Sequence, residues 1–204
     1  TAWNYFITAL EYKPDDVSTF KYLMEISITQ KNSPLAKYYS SKIIKLNPLD
    51  TDALLNLGVI ELNEGNLKLA EKYLLKVLDM QDDNDLARFN LAVVHGTKGD
   101  YSSAIVILKK LTMKHPNNGE YFQTLGLYYL AKNLFENAEE VFVKSLEIDH
   151  NLVEARKGLI IIYQNRKQFN HSAKLLDELE AISPKLPQLN LLKAIQEYLN
   201  DNID

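Results

Sequence analysis

Four histidines, His95, His115, His150 and His171, are the imidazoles on offer for proton transfer or metal ligation. No two of them lie three or four residues apart, so no metal-binding pair forms on one helix. The run Asp82-Asp83-Asn84-Asp85 has the oxygen content of a calcium loop. It lacks the central glycine and the terminal glutamate of such a loop, and capping of a following helix accounts for it better. There is no glycine-rich phosphate loop, and no Ser-His-Asp set emerges without free choice among distant residues. Cysteine is absent, which removes disulfides, thiolate metal sites and cysteine nucleophiles together. Glu139-Glu140 and Lys109-Lys110 read as solvated outer-face charges. The expectation is a chain with no catalytic residues, no metal and no cofactor.

Composition narrows the classes further. The formal net charge is −4, without the basic excess that neutralises phosphates or attracts anionic lipid surfaces. Nucleic acid and direct membrane insertion are therefore not expected as partners. Apolar residues make up 46% and charged ones 25%, the range of a globular chain. Seven glycines and six prolines are few for a β-sandwich, which turns every 8–12 residues. The longest apolar run, Leu159 to Tyr163, has five residues, far short of a membrane span. The opening TAWNYFITALEY carries no basic n-region and no cleavage signal. With the absence of cysteine, this favours a cytoplasmic location.

The elements that would carry a function are repeated. In residues 119–152, Phe122, Leu125, Gly126, Tyr129 and Leu130 follow one helical face. Asn133 interrupts, and Phe135, Ala138, Val141, Phe142, Ser145, Leu146 and Ile148 form a second face. Stepping back 34 residues gives 85–118, where Leu91, Ala92, Tyr101, Ala104 and Leu108 align without a gap. Residues 51–84 place Leu57, Gly58, Leu67, Ala70 and Leu74 in the same positions, and 17–50 and 153–186 continue the series. Residues 1–16 match the second half of a preceding repeat, and 187–202 match a first helix that closes the stack. The start inside a repeat suggests a piece of a longer protein. Gly126 and Ala138 mark a close crossing of two helices, because a mid-helix glycine costs about 1 kcal/mol unless packing needs it. Asp50, Asn84 and Asn118 stand where N-caps belong. Pro48, Pro116 and Pro184 stop helices between repeats, Gly65-Asn66 and Gly99-Asp100 mark internal turns, and Pro187 opens the last helix.

This 34-residue helix–turn–helix, with Leu, Gly/Ala, Tyr, Ala, a large apolar residue and Pro in fixed places, resembles the tetratricopeptide repeat. Two kinds of departure occur. The first aromatic position holds Phe20 and Phe122 but Leu54, Arg88 and Arg156 elsewhere, and the late proline is replaced by Asp82 and His150. A pentatricopeptide array needs a 35-residue period and a basic surface. Half-a-tetratricopeptide repeats need Trp and Glu positions that are not evident. The resemblance implies an all-α, right-handed superhelical solenoid of antiparallel helix pairs spanning 1–204 as a single domain.

It also implies a site. In the family the second, fifth, ninth, twelfth and thirteenth positions of each repeat line a concave groove. Carried over, the centre of that list is apolar: Leu55, Val59, Leu62, Leu86, Phe89, Val93, Leu127 and Leu130, with Gln123 beside them. A contiguous apolar patch marks an interaction site, here a groove for a peptide or amphipathic helix of a partner protein. Asn56 and Asn90 share one position in adjacent repeats. They either bond the backbone of a bound peptide or serve local capping and water contacts. The family's carboxylate clamp is not reproduced: Lys21 and Asn56 match, but Glu25, Leu86 and Asn90 stand at its other places. The function expected is a non-catalytic protein-interaction scaffold. The alternatives are a self-associating homo-oligomeric module and the targeting arm of an enzyme whose catalytic domain lies elsewhere.

Overall fold

A computed structural model describes residues 2–201. Among them are twelve α-helices and no strand. The chain divides into two compact halves between Lys98 and Gly99. The N-terminal half holds α1 (Ala2–Tyr12), α2 (Val17–Thr29), α3 (Ser33–Leu46), α4 (Thr51–Asn63), α5 (Leu67–Met80) and α6 (Asp85–Thr97). The C-terminal half holds α7 (Tyr101–Lys114), α8 (Gly119–Ala131), α9 (Phe135–Ile148), α10 (Val153–Asn165), α11 (Phe169–Ile182) and α12 (Leu189–Asp201). Helices α2, α4, α6, α8 and α10 begin at residues 17, 51, 85, 119 and 153, the first residue of each repeat. α12 begins at Leu189, two residues after Pro187, which sits in the preceding turn. The expected boundaries at residues 1 and 202 lie outside the described residues.

The punctuation has a physical cause at each joint. Asp16, Asp50, Asn84 and Asn118 accept from the backbone N–H three residues on, at the starts of α2, α4, α6 and α8. These bonds satisfy amides that the first helical turn leaves orphaned. α10 begins after Leu152, which has no acceptor. Gln123 of α8 supplies one: its Oε1 accepts from Ala155 N at 3.1 Å. The turn inside each repeat needs one left-handed residue. Gly65 and Gly99 (φ 80 and 83) meet that need without a Cβ penalty. Asn133 and the lysines Lys31 and Lys167 adopt it at φ 58, 55 and 57.

The two departures from the repeat pattern compensate each other. Where the inter-repeat loop lacks proline, an arginine stands six residues later and binds that loop. Arg88 donates to the carbonyl of Asp82 and to its carboxylate at 3.0 Å. Arg156, buried to 5%, donates Nη1–H to the His150 carbonyl at 2.6 Å and pairs with Glu178 at 3.3 Å. Loops with proline, at Pro14, Pro48 and Pro116, are followed six residues on by Phe20, Leu54 and Phe122. The arginine does with hydrogen bonds what proline does by stiffening the backbone.

Each half has its own core. In the N-terminal half Phe20, Leu23, Met24, Tyr39 and Ile43 pack together, with Trp3, Phe6 and Leu10 of α1 leaning on them. In the C-terminal half Phe142 is fully buried between Gly126 of α8 and Gly158 of α10. A β-carbon at Gly126 would lie 2.5 Å from the ring, and one at Gly158 would overlap the opposite edge. Farther along, Ile160, Leu176, Leu179, Leu189 and Leu192 hold α12. A polar network seats it as well: Gln164 donates to the Leu192 carbonyl and to Gln196 Oε1, both at 3.2 Å, and Ser172 donates to the same Gln196 oxygen. Ion pairs join the second helix of one repeat to the end of the next first helix. Lys37 meets Glu61 and Glu64, Lys98 meets Glu71, and Arg166 meets Glu136 and Glu139. The exposed and half-exposed pairs are worth about 0–1 kcal/mol each, so they fix register more than they add stability; Glu61 is buried, and Lys37 answers its charge.

Candidate interaction surface

On α4 the core takes Leu54, Leu57, Gly58, Ile60 and Glu61, while Leu55, Asn56, Val59 and Leu62 lie half-buried on another face. α6 repeats the division. Ala87, Asn90, Leu91, Ala92 and Val94 are buried, Phe89 and Val93 are half-buried, and Leu86 is 53% exposed. In the C-terminal half, Gln123, Leu127 and Leu130 of α8 are half-buried. Eight apolar candidates thus keep some contact with solvent, and two of them, Leu127 and Leu130, also pack against the core of their half.

The polar candidates behave differently. Asn56 donates from Nδ2 to Ser40 Oγ at 2.7 Å. Asn90, at 8% exposure, donates to the Leu86 carbonyl one turn back at 2.8 Å. Both amides thus have local bonds, and the shared position does not give them a shared partner. Gln123 uses its oxygen as the N-terminal acceptor of α10. Lys21, the one lysine in a clamp position, lies 2.8 Å from Asp50 and 3.2 Å from Asp52. The hydrogen bond to Asp50 holds its ammonium above the usual lysine range. Its charge is already answered from within the scaffold.

A deeper feature of the C-terminal half escaped the sequence reading. α10 and α12 enclose an open cavity of about 510 Å³, lined by Lys157, Ile161, Gln164, Asn165, Lys167, Gln188, Leu191, Leu192, Ile195 and Leu199. Its α10 side comprises groove positions of the repeat 153–186. Its α12 side carries the same positions forward: counted from Pro187, the second, fifth, ninth and thirteenth residues are Gln188, Leu191, Ile195 and Leu199. The 34-residue count thus carries the groove positions onto the last helix.

Among the described residues there is no group of three or more His, Asp or Glu side chains that could hold a metal ion. His115 packs edge-on against Tyr121, and His171 lies beside Tyr163 with ring centres 5.4 Å apart. Tyr128, stacked near Tyr101, has its phenol pushed up to about 12 by burial, so it stays neutral at all ordinary pH. No described helix is long and apolar enough to cross a membrane.

The tetratricopeptide-repeat family profile matches residues 62–126, and a second profile of the same family matches 119–151. No curated protein matches the sequence significantly. Solved structures agree on the fold. PilF of Pseudomonas aeruginosa superposes with a TM-score of 0.76 at 20% identity, covering 91% of this chain and 85% of PilF. MamA from Desulfovibrio magneticus RS-1 gives 0.71 at 16% identity, covering 84% and 97%. YrrB, described as a repeat protein of this kind with an unusual peptide-binding site, gives 0.67 at 17% identity, covering 93% and 97%. The 34-residue helix spacing, the family profiles and these folds agree: residues 62–151 match the tetratricopeptide-repeat family, and each half of the chain has the all-α helical-repeat fold of that family.

Proposed function

We propose that this scaffold holds a segment of another protein, an amphipathic helix or an extended apolar peptide, against the first-helix faces of its repeats. The observation that carries the reading is the half-buried apolar set, Leu55, Val59, Leu62, Phe89 and Val93 in one half and Leu127 and Leu130 in the other, together with the exposed Leu86. Such surface is costly to leave wet and marks contact sites. YrrB, similar in fold, is described as having a peptide-binding site, which is consistent with this use. The test is affinity capture with the wild-type chain and a Val59→Lys/Phe89→Lys variant of matched thermal stability. Proteins lost selectively from the variant would be groove partners. Equal capture by both, or collapse of the variant's fold, refutes the reading. Self-association is a second reading, favoured by α1, none of whose residues is buried and whose Tyr5 and Tyr12 are 80% and 87% exposed. Concentration-dependent mass in light scattering would support it, and a constant monomer mass would exclude it.

A further inference from the structure

We infer that the α10–α12 cavity is the anchoring subsite of this scaffold. Its occupant is a partner segment bearing two neighbouring bulky aliphatic side chains flanked by a carboxylate. The inference rests on the groove reading above and adds to it the place and the chemistry of the anchor.

Size and lining come first. At about 510 Å³ the cavity falls within the ~300–1,000 Å³ of ordinary ligand sites. Its floor is aliphatic, from Ile161, Leu191, Ile195 and Leu199. Folding explains only part of that floor. α12 is seated by Leu189 and Leu192 and by the Gln164–Gln196–Ser172 network, of which Leu192 and Gln164 also line the cavity, and Ile161 packs against the same core; Leu191 and Ile195 take no part in that cluster. Leu191 remains 61% exposed and Ile195 38%.

Charge selects the occupant. Two lysines, Lys157 and Lys167, are among the lining residues, and no carboxylate is. Lys157 is held by both oxygens of Glu154 at 2.9 Å. Lys167 is exposed at the rim and pairs with no carboxylate among the described residues. An aliphatic floor beside one such ammonium fits an apolar segment with a neighbouring Asp or Glu.

Backbone strain is the independent observation. Lys167 sits at φ 57, in the left-handed region that a side chain with a β-carbon adopts at a cost. Two other repeats put glycine at this turn position and a third puts Asn133 there. Lys31, the remaining lysine at this position, lines a smaller cavity of about 200 Å³ with Ile28 and Asn63. Strain kept at a cavity edge, where glycine would relieve it, points to use of the side chain.

The test uses the full chain and two short fluorescent synthetic helical peptides. Each has a Leu-Leu anchor, flanked by glutamates in one and by lysines in the other. Anisotropy measures affinity, and methyl NMR locates the contact. The glutamate peptide should bind more tightly, shifting the methyls of Ile161, Leu191 and Ile195. Lys167→Gly should raise the melting temperature yet weaken that peptide about threefold, as expected for one partly exposed charge pair. Lys167→Glu should reverse the preference between the two peptides. Leu191→Ser/Ile195→Ser should weaken both by about tenfold or more, the scale of one lost buried aliphatic side chain. If that pair lowers the melting temperature, the exposed Lys167 variants carry the test. The inference is overturned if neither peptide binds at about 1 mM, or if both bind alike. Concentration-dependent dimer that the peptides do not dissociate overturns it too, by assigning the cavity to a second copy. Methyl shifts confined to Leu55 and Val59 would remove this subsite while leaving the groove reading in place.

Discussion

Phe142 is packed between two glycines, and an alanine at either of them probes how the repeats of the C-terminal half are stacked. Alanine is the better helix former by about 1 kcal/mol, so Gly126→Ala would stabilise α8 if nothing else changed. The added β-carbon, however, lies 2.5, 2.6 and 2.9 Å from three carbons of a fully buried ring. The ring has no free direction of retreat, because Gly158 closes its other edge. Overpacking of this kind costs about 1–3 kcal/mol, and against the helical gain of about 1 kcal/mol the net loss is at most about 2 kcal/mol, the end expected for a ring pinned on both edges. That is about 4–8 °C in melting temperature for a chain of this size.

Gly58→Ala provides the internal control. Its β-carbon would meet Cδ2 and Cγ of the buried Leu74, at 2.8 and 2.9 Å. The methyl can rotate and the branch carbon can shift by a few tenths of an ångström where a phenyl ring pinned on both edges cannot, so the loss there should be smaller than at Gly126. Thermal unfolding by circular dichroism, with urea titration as a second measure, ranks the three variants: Gly158→Ala and Gly126→Ala below wild type, Gly58→Ala nearer to it. Phe142→Leu, which installs the residue found at the equivalent positions 74, 108 and 176, should rescue Gly126→Ala with a coupling energy of about 1 kcal/mol or more. A rise in melting temperature for Gly126→Ala, or strict additivity with Phe142→Leu, would refute the packing argument.

Three further outcomes are expected. Arg156→Leu should cost about 1.5–3 kcal/mol, because the hydrogen bond from the buried guanidinium to the His150 carbonyl is lost; adding His150→Pro, which rebuilds the Pro48/Leu54 pairing, should recover part of it in urea unfolding. Lys31→Gly, at φ 55, should stabilise by about 0.5–1 kcal/mol, since the left-handed penalty of about 1–2 kcal/mol exceeds the extra chain entropy of glycine; a lower melting temperature would contradict it. Asp16 caps α2, and its carboxyl is lowered to about 2 by Lys13 first and by Thr19 after it. A carboxylate depressed in the folded state adds stability at higher pH and loses it as pH falls through the folded value. The melting-temperature gap between wild type and Asp16→Asn should therefore be constant above about pH 4 and close towards pH 2.

The periodic part of this fold was legible because each repeat buries the same positions against the same neighbours, so residue types recur at 34-residue steps. The caps at Asp50, Asn84 and Asn118 were legible for the same reason. The arginine–loop bonds were not, although both departures were visible. A long side chain reaching back six residues leaves no periodic trace, only a correlation between a missing proline and an arginine. Asn56 and Asn90 show the limit of reasoning by position. Asn56 finds Ser40 Oγ because the preceding repeat has serine at its twenty-fourth place. The corresponding residue before Asn90 is Leu74, whose side chain offers no acceptor, and Asn90 turns to its own helix.

The division of labour on α12 sharpens what the surface is for. Where the earlier first helices carry their core leucine, α12 has Lys193, and where α8 and α10 carry Tyr129 and Tyr163 it has Glu197; Asn190 stands three residues before Lys193. Lys193 is bound to Glu180 at 2.7 Å, and Asn190 and Glu197 are exposed. A helix whose outer side has been made polar this thoroughly answers to solubility. Yet the same helix keeps Leu191 and Ile195 open on its cavity side. Selection for a wettable surface would have removed those two first, since neither holds α12 in place. Their presence beside a strained lysine locates two separate costs at one cavity, and a binding partner offsets both.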